Sequence, residues 1–432
     1  MNVRKVLVFP AGTEIGLEIY QSLKNCKEVK LFGAGQAISN HAPFVYERYY
    51  ELPSIHEHDW LSRLVLLCRE LKIDYIFPAY DDIIVSLSEN AQRIPATILA
   101  PSQEISRITR SKSLTYEHLS SVIRVPRLYQ HTTAKDFPLI VKPDQGQGAY
   151  GVTIVKNRQE LDGALLVVKD PIISEYLPGE EYTVDCFSDR EQGVLFCGVR
   201  ERLRTRNGIA VHTRTVTIPE SAVLAQRIQE CFQLCGAWFF QVKRAADGTL
   251  ALLEVAPRIA GSMSTHRVKG INFPLLTIFE HERIPIQLLS LPADVELNRA
   301  LCNRYRIDID YQALYIDLDD TLLLHDRVNL DALHLIYACI NRKIPVILIT
   351  RHAGNLKETL IHYRLAAIFD EVIHVADDEC KSKYIRHKKA IFVDDSFRER
   401  KQVHDALGIP TFDCSMIELL TQQAKPLKGI CE

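Results

Sequence analysis

The sequence predicts a multidomain protein combining α/β and α+β architecture, and three observations carry that expectation. In residues 1–110, short apolar runs alternate with stretches of helical periodicity, as in a parallel, doubly wound sheet. From Pro138 the apolar runs crowd together with glycine turns between them, as in antiparallel sheet. From Ala313 the runs stand apart again, and aspartate, threonine and lysine gather at or near their ends. A length of 432 residues accommodates about two to three domains.

Taking the elements in order, residues 5–9 (KVLVF) read as a buried strand, Gly12 and Gly16 as a turn, and residues 15–23 as a helix. The segment GTEIG lacks the full Gly-x-Gly-x-x-Gly spacing, so its glycines read first as turn formers. Strands follow at 29–32, 75–78 and 98–101, with a helix at 60–71. Asp81 and Asp82 suit the first turn of a further helix, where carboxylates match the dipole. Residues 107–119 are a basic turn leading into a helix that carries Lys112.

The central stretch is 137–152, FPLIVKPDQGQGAYGV. A strand ends in Lys142 and Pro143, and Gly146, Gly148 and Gly151 follow. Glycines let a loop bring backbone N–H groups close to phosphate oxygens, and the strand lysine supplies charge. No Gly-Lys-Ser/Thr follows, so this is not a P-loop. Strands are expected at 139–141, 153–155, 172–175, 182–187 and 193–199, then a hairpin of 239–244 and 250–255 turning at Asp247-Gly248. Gln241 and Glu254 fall on its paired strands, oxygen donors that suit Mg²⁺.

Lys112, the VKP-plus-glycine loop, SEYLPGEEYTVD, Gln241 and LLEVAPR together resemble the ATP-grasp superfamily, in the branch of carbamoyl-phosphate synthetase and biotin carboxylase. The likeness spans residues 1–285. It implies a Rossmann-like pre-ATP-grasp domain (1–110) and an ATP-grasp domain (111–290). ATP lies between two α+β subdomains under the glycine loop, with Gly148 at its centre. By resemblance, Lys112 and Lys142 touch phosphates. Glu175 with the backbone of Tyr176 and Leu177 holds adenine, and Glu181 holds ribose. Gln241 and Glu254 bind Mg²⁺, with Mn²⁺ as an alternative ion, and Arg258 faces the γ-phosphate. Two departures stand out. Ala256 replaces the asparagine of Glu-x-Asn-Pro-Arg and cannot ligate, which leaves one or two Mg²⁺ open. Residues 207–215 (NGIAVHTRT) resemble a Gly-x-His-Thr-Gly-Asp segment of the synthetase, placing His212 among the nucleotide-binding residues. Arg214 then stands where that segment has no cation, as an anion ligand or, with His212, as a strand-edge surface pair.

Residues 291–310 read as a linker. Beyond it, ALYIDLDDTLLLHD delivers Asp317 and Asp319 to the end of a strand, where α/β sheets place their sites. Two such carboxylates suit Mg²⁺ and a nucleophile with an acid/base partner. VILIT ends in Thr350, Lys381 and Lys383 follow, and IFVDDS ends in Asp394 and Asp395. The series resembles the haloacid-dehalogenase-like (HAD-like) phosphatases over residues 311–432. It implies a capless Rossmannoid domain, because about one helix separates the first two motifs. By resemblance, Asp317 is the nucleophile and Asp319 the general acid/base. Thr350 and Lys383 (or Lys381) bind the phosphoryl group. Asp317, Asp319 and Asp394, helped by Asp395, hold Mg²⁺.

Net charge is −2 with no long basic block, which argues against a non-specific nucleic-acid binder. The 11 cysteines are scattered without ligand spacing and read as reduced cytosolic thiols. No apolar run approaches a membrane span, and the tail from Gln422 is expected to be loosely held. Together these features imply a cytoplasmic bifunctional enzyme. One half ligates a small-molecule carboxylate to an amine or related nucleophile through an acyl phosphate. The other dephosphorylates a phosphorylated small molecule or a larger phospho-substrate. A homodimer is an allowed assembly. The alternatives are a kinase paired with a phosphatase, or an ATP-sensing regulator with phosphatase activity only.

Overall fold

The computed structural model describes residues 3–422 apart from 147 and 149, so the tail beyond Gln422 lies outside the described residues. The chain divides into two compact units, one of Met1–Leu301 and one of Cys302–Lys425.

The first unit opens with a five-stranded parallel sheet. Its order is Tyr49–Glu51, Val29–Gly35, Arg4–Phe9, Tyr75–Pro78, Thr97–Ile98. The central strand shows why it is buried: Val6 and Val8 enter one core, Leu7 and Phe9 another. Alternate side chains leave a strand on opposite faces, and both faces of a doubly wound sheet are covered. The expected helices form as Glu14–Leu23, Trp60–Leu71 and Asp81–Glu89. Thr13 caps the first, accepting from the Gly16 N–H at 3.0 Å. A Cβ on Gly16 would stand 2.5 Å from the Ala11 carbonyl oxygen, so this glycine serves close helix–strand contact. The strand expected at 98–101 is the shorter Thr97–Ile98, and Tyr49–Glu51 is an additional edge.

Two further sheets complete the unit. A four-stranded antiparallel sheet runs Leu128–Tyr129, Pro171–Glu175, Leu139–Pro143, Thr153–Val155. A six-stranded antiparallel sheet runs Leu250–Ala256, Gly236–Arg244, Glu181–Asp189, Gly193–Arg206, Ile209–Val216, Glu296–Asn298. Period-two alternation sorts the residues of this sheet. Val184, Cys186, Trp238, Phe240 and Val242 pack in the core with helix Glu220–Phe232. Glu181, Thr183, Phe239, Gln241 and Lys243 face a cavity. The last strand corrects the expected linker. Within 291–310, Glu296–Asn298 pairs with Arg214, Thr213 and His212 and closes the edge of the sheet.

The second unit is a five-stranded parallel sheet ordered Glu371–His374, Val346–Thr350, Ala313–Ile316, Ala390–Val393, Thr411–Phe412. Leu314, Ile316, Leu348, Ile391 and Val393 fill one core, and Ala313, Tyr315, Ile347, Ile349 and Phe392 the other. Helices Leu330–Asn341, Leu356–His362 and Phe397–Leu407 follow strands of this sheet. The three central strands end side by side, which gathers their following residues into one place.

Among the described residues no helix is long and apolar enough to cross a membrane.

Candidate active sites

In the first unit one cavity of about 640 Å³ is lined by Lys112, Lys142, Gly148, Glu175, Tyr176, Leu177, Glu181, Gln241, Glu254 and Arg258. Local structure explains how they meet. Asp144 follows the Lys142–Pro143 strand end, and its carboxylate accepts from Ser111 Oγ at 2.6 Å and from the Ser113 N–H at 2.7 Å. That clamp seats helix Lys112–Leu119 against the root of the glycine loop and brings both lysines to the cavity. Lys142 Nζ donates to Tyr116 Oη at 2.9 Å. Gln241 and Glu254 are directly paired on adjacent strands. Hard cations take oxygen donors of this kind, so the donor set fits Mg²⁺ beside phosphates.

The electrostatics are unusual for lysines. Burial, together with the nearby Lys112, lowers the Lys142 ammonium to about 8, and burial also lowers Lys112, against the pull of Glu254. A free enzyme would therefore lose the Lys142 charge as pH rises through about 8. The expected result is a kcat/KM for ATP that falls above that pH and a fall displaced upward in Lys142→Arg. A profile flat to pH 10 in the wild type would exclude titration of this group.

Gly148 sits at φ +61°, and a Cβ there would lie 2.5 Å from the Asn207 carbonyl oxygen. The glycine loop thus rests on the hairpin turn at Asn207-Gly208. Gly148→Ala is expected to raise KM for ATP about tenfold, since the left-handed backbone alone costs about 1–2 kcal/mol. Calorimetric titration with ATP checks it, and unchanged affinity would contradict a loop that covers nucleotide.

Several residues take other partners. The Glu175 carboxylate is engaged by Arg124 Nη2 at 2.9 Å and the Arg127 N–H at 3.2 Å. Glu181 pairs with Arg202 at 3.0 Å. Arg258 is held in a two-pronged ion pair by Asp81, one of the aspartates expected only to begin a helix. His212 is a correction: it does not line the cavity but meets Glu296 at 2.5 Å on the sheet's edge pair. Arg214 likewise pairs with Glu201 and is half exposed. The sequence reading missed two further cations that line the cavity. Arg200 is buried, chelates Asp185 at 2.6 and 2.8 Å and donates to Ser262 Oγ at 2.8 Å. Arg299 reaches the cavity and donates to the Gly261 carbonyl.

In the second unit Asp317 and Asp394 follow neighbouring strands, the Asp317 N–H donating to the Val393 carbonyl at 2.9 Å. Lys381 Nζ stands between them, 2.8 Å from Asp317 Oδ1 and 2.6 Å from Asp394 Oδ2. Lys383 is a correction. It is exposed, while Lys381 is buried. Burial pushes the Asp317 and Asp394 carboxyls up, against the charge of Lys381. Burial also opposes the ammonium, but the two carboxylates outweigh it and raise Lys381. Oxygens of Asp317, Asp394 and Asp395 lie within 4.8 Å of one another, a donor set that fits Mg²⁺. Asp319, expected among the ligands, is not in that group and is bound by His352 instead. Thr350 Oγ is fully buried with no hydrogen-bond partner among the described residues, an orphan that a phosphoryl oxygen would satisfy. Thr321 accepts from the Asp395 N–H at 2.9 Å and fixes that loop.

Comparison with known proteins adds the following. Residues 168–287 match the family model described as ATP-grasp in the biosynthetic pathway with Ter operon. A D-alanine–D-alanine ligase of Fusobacterium nucleatum subsp. nucleatum is 34% identical over 92 residues, 21% of this chain and 32% of the relative. The match thus spans about a third of that relative's length. A biotin carboxylase of Campylobacter jejuni, solved as a β-γ-ATP complex, has a TM-score of 0.58 at 15% identity, covering 68% of this chain and 74% of its own. The biotin carboxylase domain of Hydrogenobacter thermophilus 2-oxoglutarate carboxylase, solved as a dimer with MgADP, ADP and bicarbonate, gives 0.58 at 16% identity over the same shares. The chain therefore contains the ATP-grasp fold.

Proposed function

We propose that this chain, on the premise of its ATP-grasp fold, is an ATP-dependent ligase that activates a carboxylate as an acyl phosphate and passes it to an amine or related nucleophile. The observation that carries the reading is the single cavity in which Lys112, Lys142, Arg258, Gln241 and Glu254 converge. A carboxylate attacking the γ-phosphate brings anions together. The two lysines and Arg258 offset that charge with little reorganisation, because the Asp144 carbonyl accepts from Lys112, Tyr116 Oη from Lys142, and the Asp81 carboxylate from Arg258. Gln241 and Glu254 would hold Mg²⁺, which would supply further neutralisation of phosphate charge. Arg299, which also lines the cavity, is suited to orient the carboxylate before transfer.

Hydroxylamine provides the test. It intercepts an acyl phosphate and yields a hydroxamate. With ATP, Mg²⁺ and a panel of carboxylates, amino acids first given the ligase relative, the expected result is ADP formation in step with hydroxamate. ADP without hydroxamate, accompanied by a stable phosphorylated metabolite, points to a kinase. Ala256, which cannot ligate, favours a second reading as a nucleotide-binding regulator. Tight ATP binding with no ADP across the panel would select it.

For the second unit the proposal is a Mg²⁺-dependent HAD-like phosphatase. Asp317 attacks phosphorus, Lys381 and Thr350 hold the phosphoryl oxygens, and Asp394 with Asp395 and Asp317 would hold Mg²⁺. The support is the convergence of Asp317, Lys381 and Asp394 within hydrogen-bonding distance, with Thr350 unpartnered at the end of the adjoining strand.

A further inference from the structure

Asp319 is turned toward a partner that no motif named. His352 Nδ1 lies 3.0 Å from each Asp319 oxygen. Its Nε2 is 2.9 Å from Thr359 Oγ1 on helix Leu356–His362. The His352 carbonyl accepts from His374 Nε2 at 2.8 Å, at the end of strand Glu371–His374. The side chain is 15% exposed, whereas that of Asp319 is 48% exposed. One ring, fixed by neighbouring elements, therefore grips a carboxylate that would otherwise swing in solvent. In the tautomer with the proton on Nδ1 the ring donates to Asp319, and Thr359 Oγ1 donates to Nε2.

We propose that His352 is a positioning residue that holds Asp319 in place for proton transfer, and so decides whether esters with poor leaving groups are cleaved. The inference rests on the phosphatase reading. In that chemistry Asp317 Oδ bonds to phosphorus as the bond to the alcohol oxygen breaks. Protonated Asp319 gives its proton to that oxygen, releasing an alcohol. The Asp319 carboxylate then takes a proton from water as the water oxygen bonds to phosphorus. The phosphorus–Asp317 bond breaks, and phosphate leaves with both aspartates restored. An alkoxide needs the proton in order to depart, whereas p-nitrophenolate does not. A misplaced Asp319 must therefore injure the two ester classes unequally, which general loss of structure would not do.

The test uses the full chain with Mg²⁺ and compares glycerol phosphate with p-nitrophenyl phosphate. His352→Ala is expected to lower kcat/KM for the alkyl ester on the order of 10²–10³-fold. It should leave kcat/KM for the aryl ester nearly unchanged. Hydrolysis of the aspartyl-phosphate becomes slow, so a burst of one p-nitrophenolate per enzyme appears. His352→Asn, which offers an N–H near the place of Nδ1, should restore most of the alkyl activity. Thr359→Val, which frees only the far side of the ring, should show a smaller loss of the same selectivity. Equal losses on both esters, or an asparagine variant no better than alanine, overturn the inference alone. A wild type that cleaves neither ester, indistinguishable from Asp317→Asn, overturns the phosphatase reading and the inference with it.

Discussion

Lys142→Ala is expected to reduce kcat/KM for ATP by roughly 10²–10³-fold, the loss that follows removal of one preorganised charge from a transition state. The ammonium is buried, fixed to Tyr116 Oη, and set on the strand that roots the glycine loop. Water has little room to replace it. Lys142→Met, which keeps the volume, separates charge from packing. It should lose the same activity yet melt no lower than the wild type, because a desolvated lysine is held against the ordinary preference for water. ADP release measured by a coupled assay, with phosphatase activity as an internal standard, checks both variants. ADP formation within threefold of wild type would remove Lys142 from the chemistry.

Asp317→Asn is expected to lower phosphatase turnover on the order of 10⁴–10⁶-fold while ADP formation persists, since an amide cannot serve as the attacking oxygen. The fold should tolerate the change. Lys381 keeps Asp394 as its partner at 2.6 Å, and one of two crowded carboxylates is removed. Phosphate-release assays would read the loss directly. If Lys142→Ala and Asp317→Asn each abolished both activities, two separate centres would be untenable.

Much of the first cavity was legible because its residues sit at strand ends and in a turn whose composition has a direct physical reading. Lys142 precedes three glycines, and Gln241 and Glu254 lie on opposite strands of a hairpin turning at Asp247-Gly248, although the bulge between Gln241 and Val242 that sets their direct pairing was not legible. Two of the errors share a cause, which is that orientation is not written in spacing. Lys381 and Lys383 both fit a lysine before the third strand, but they belong to a 3-10 turn. Residues two apart in such a turn point in different directions, so one lysine entered the site and the other met solvent. His212 was placed by likeness to a segment, whereas pairing with Glu296–Asn298 drew it to the edge. Tyr49–Glu51 and Glu296–Asn298 have three residues each, too few for alternation to be told from loop. The Asp81–Arg258 pair joins residues 177 apart in sequence, a contact only the folded chain reveals.

The closing strand at Glu296–Asn298 has a practical bearing. Ending the first unit at 290, the boundary the family resemblance implies, would strip Ile209–Val216 of its neighbour and delete Arg299 from the cavity wall. Such a truncate would expose an unsatisfied backbone edge prone to self-association. Anyone expressing that half by itself should carry it through Leu301, where the compact unit itself stops.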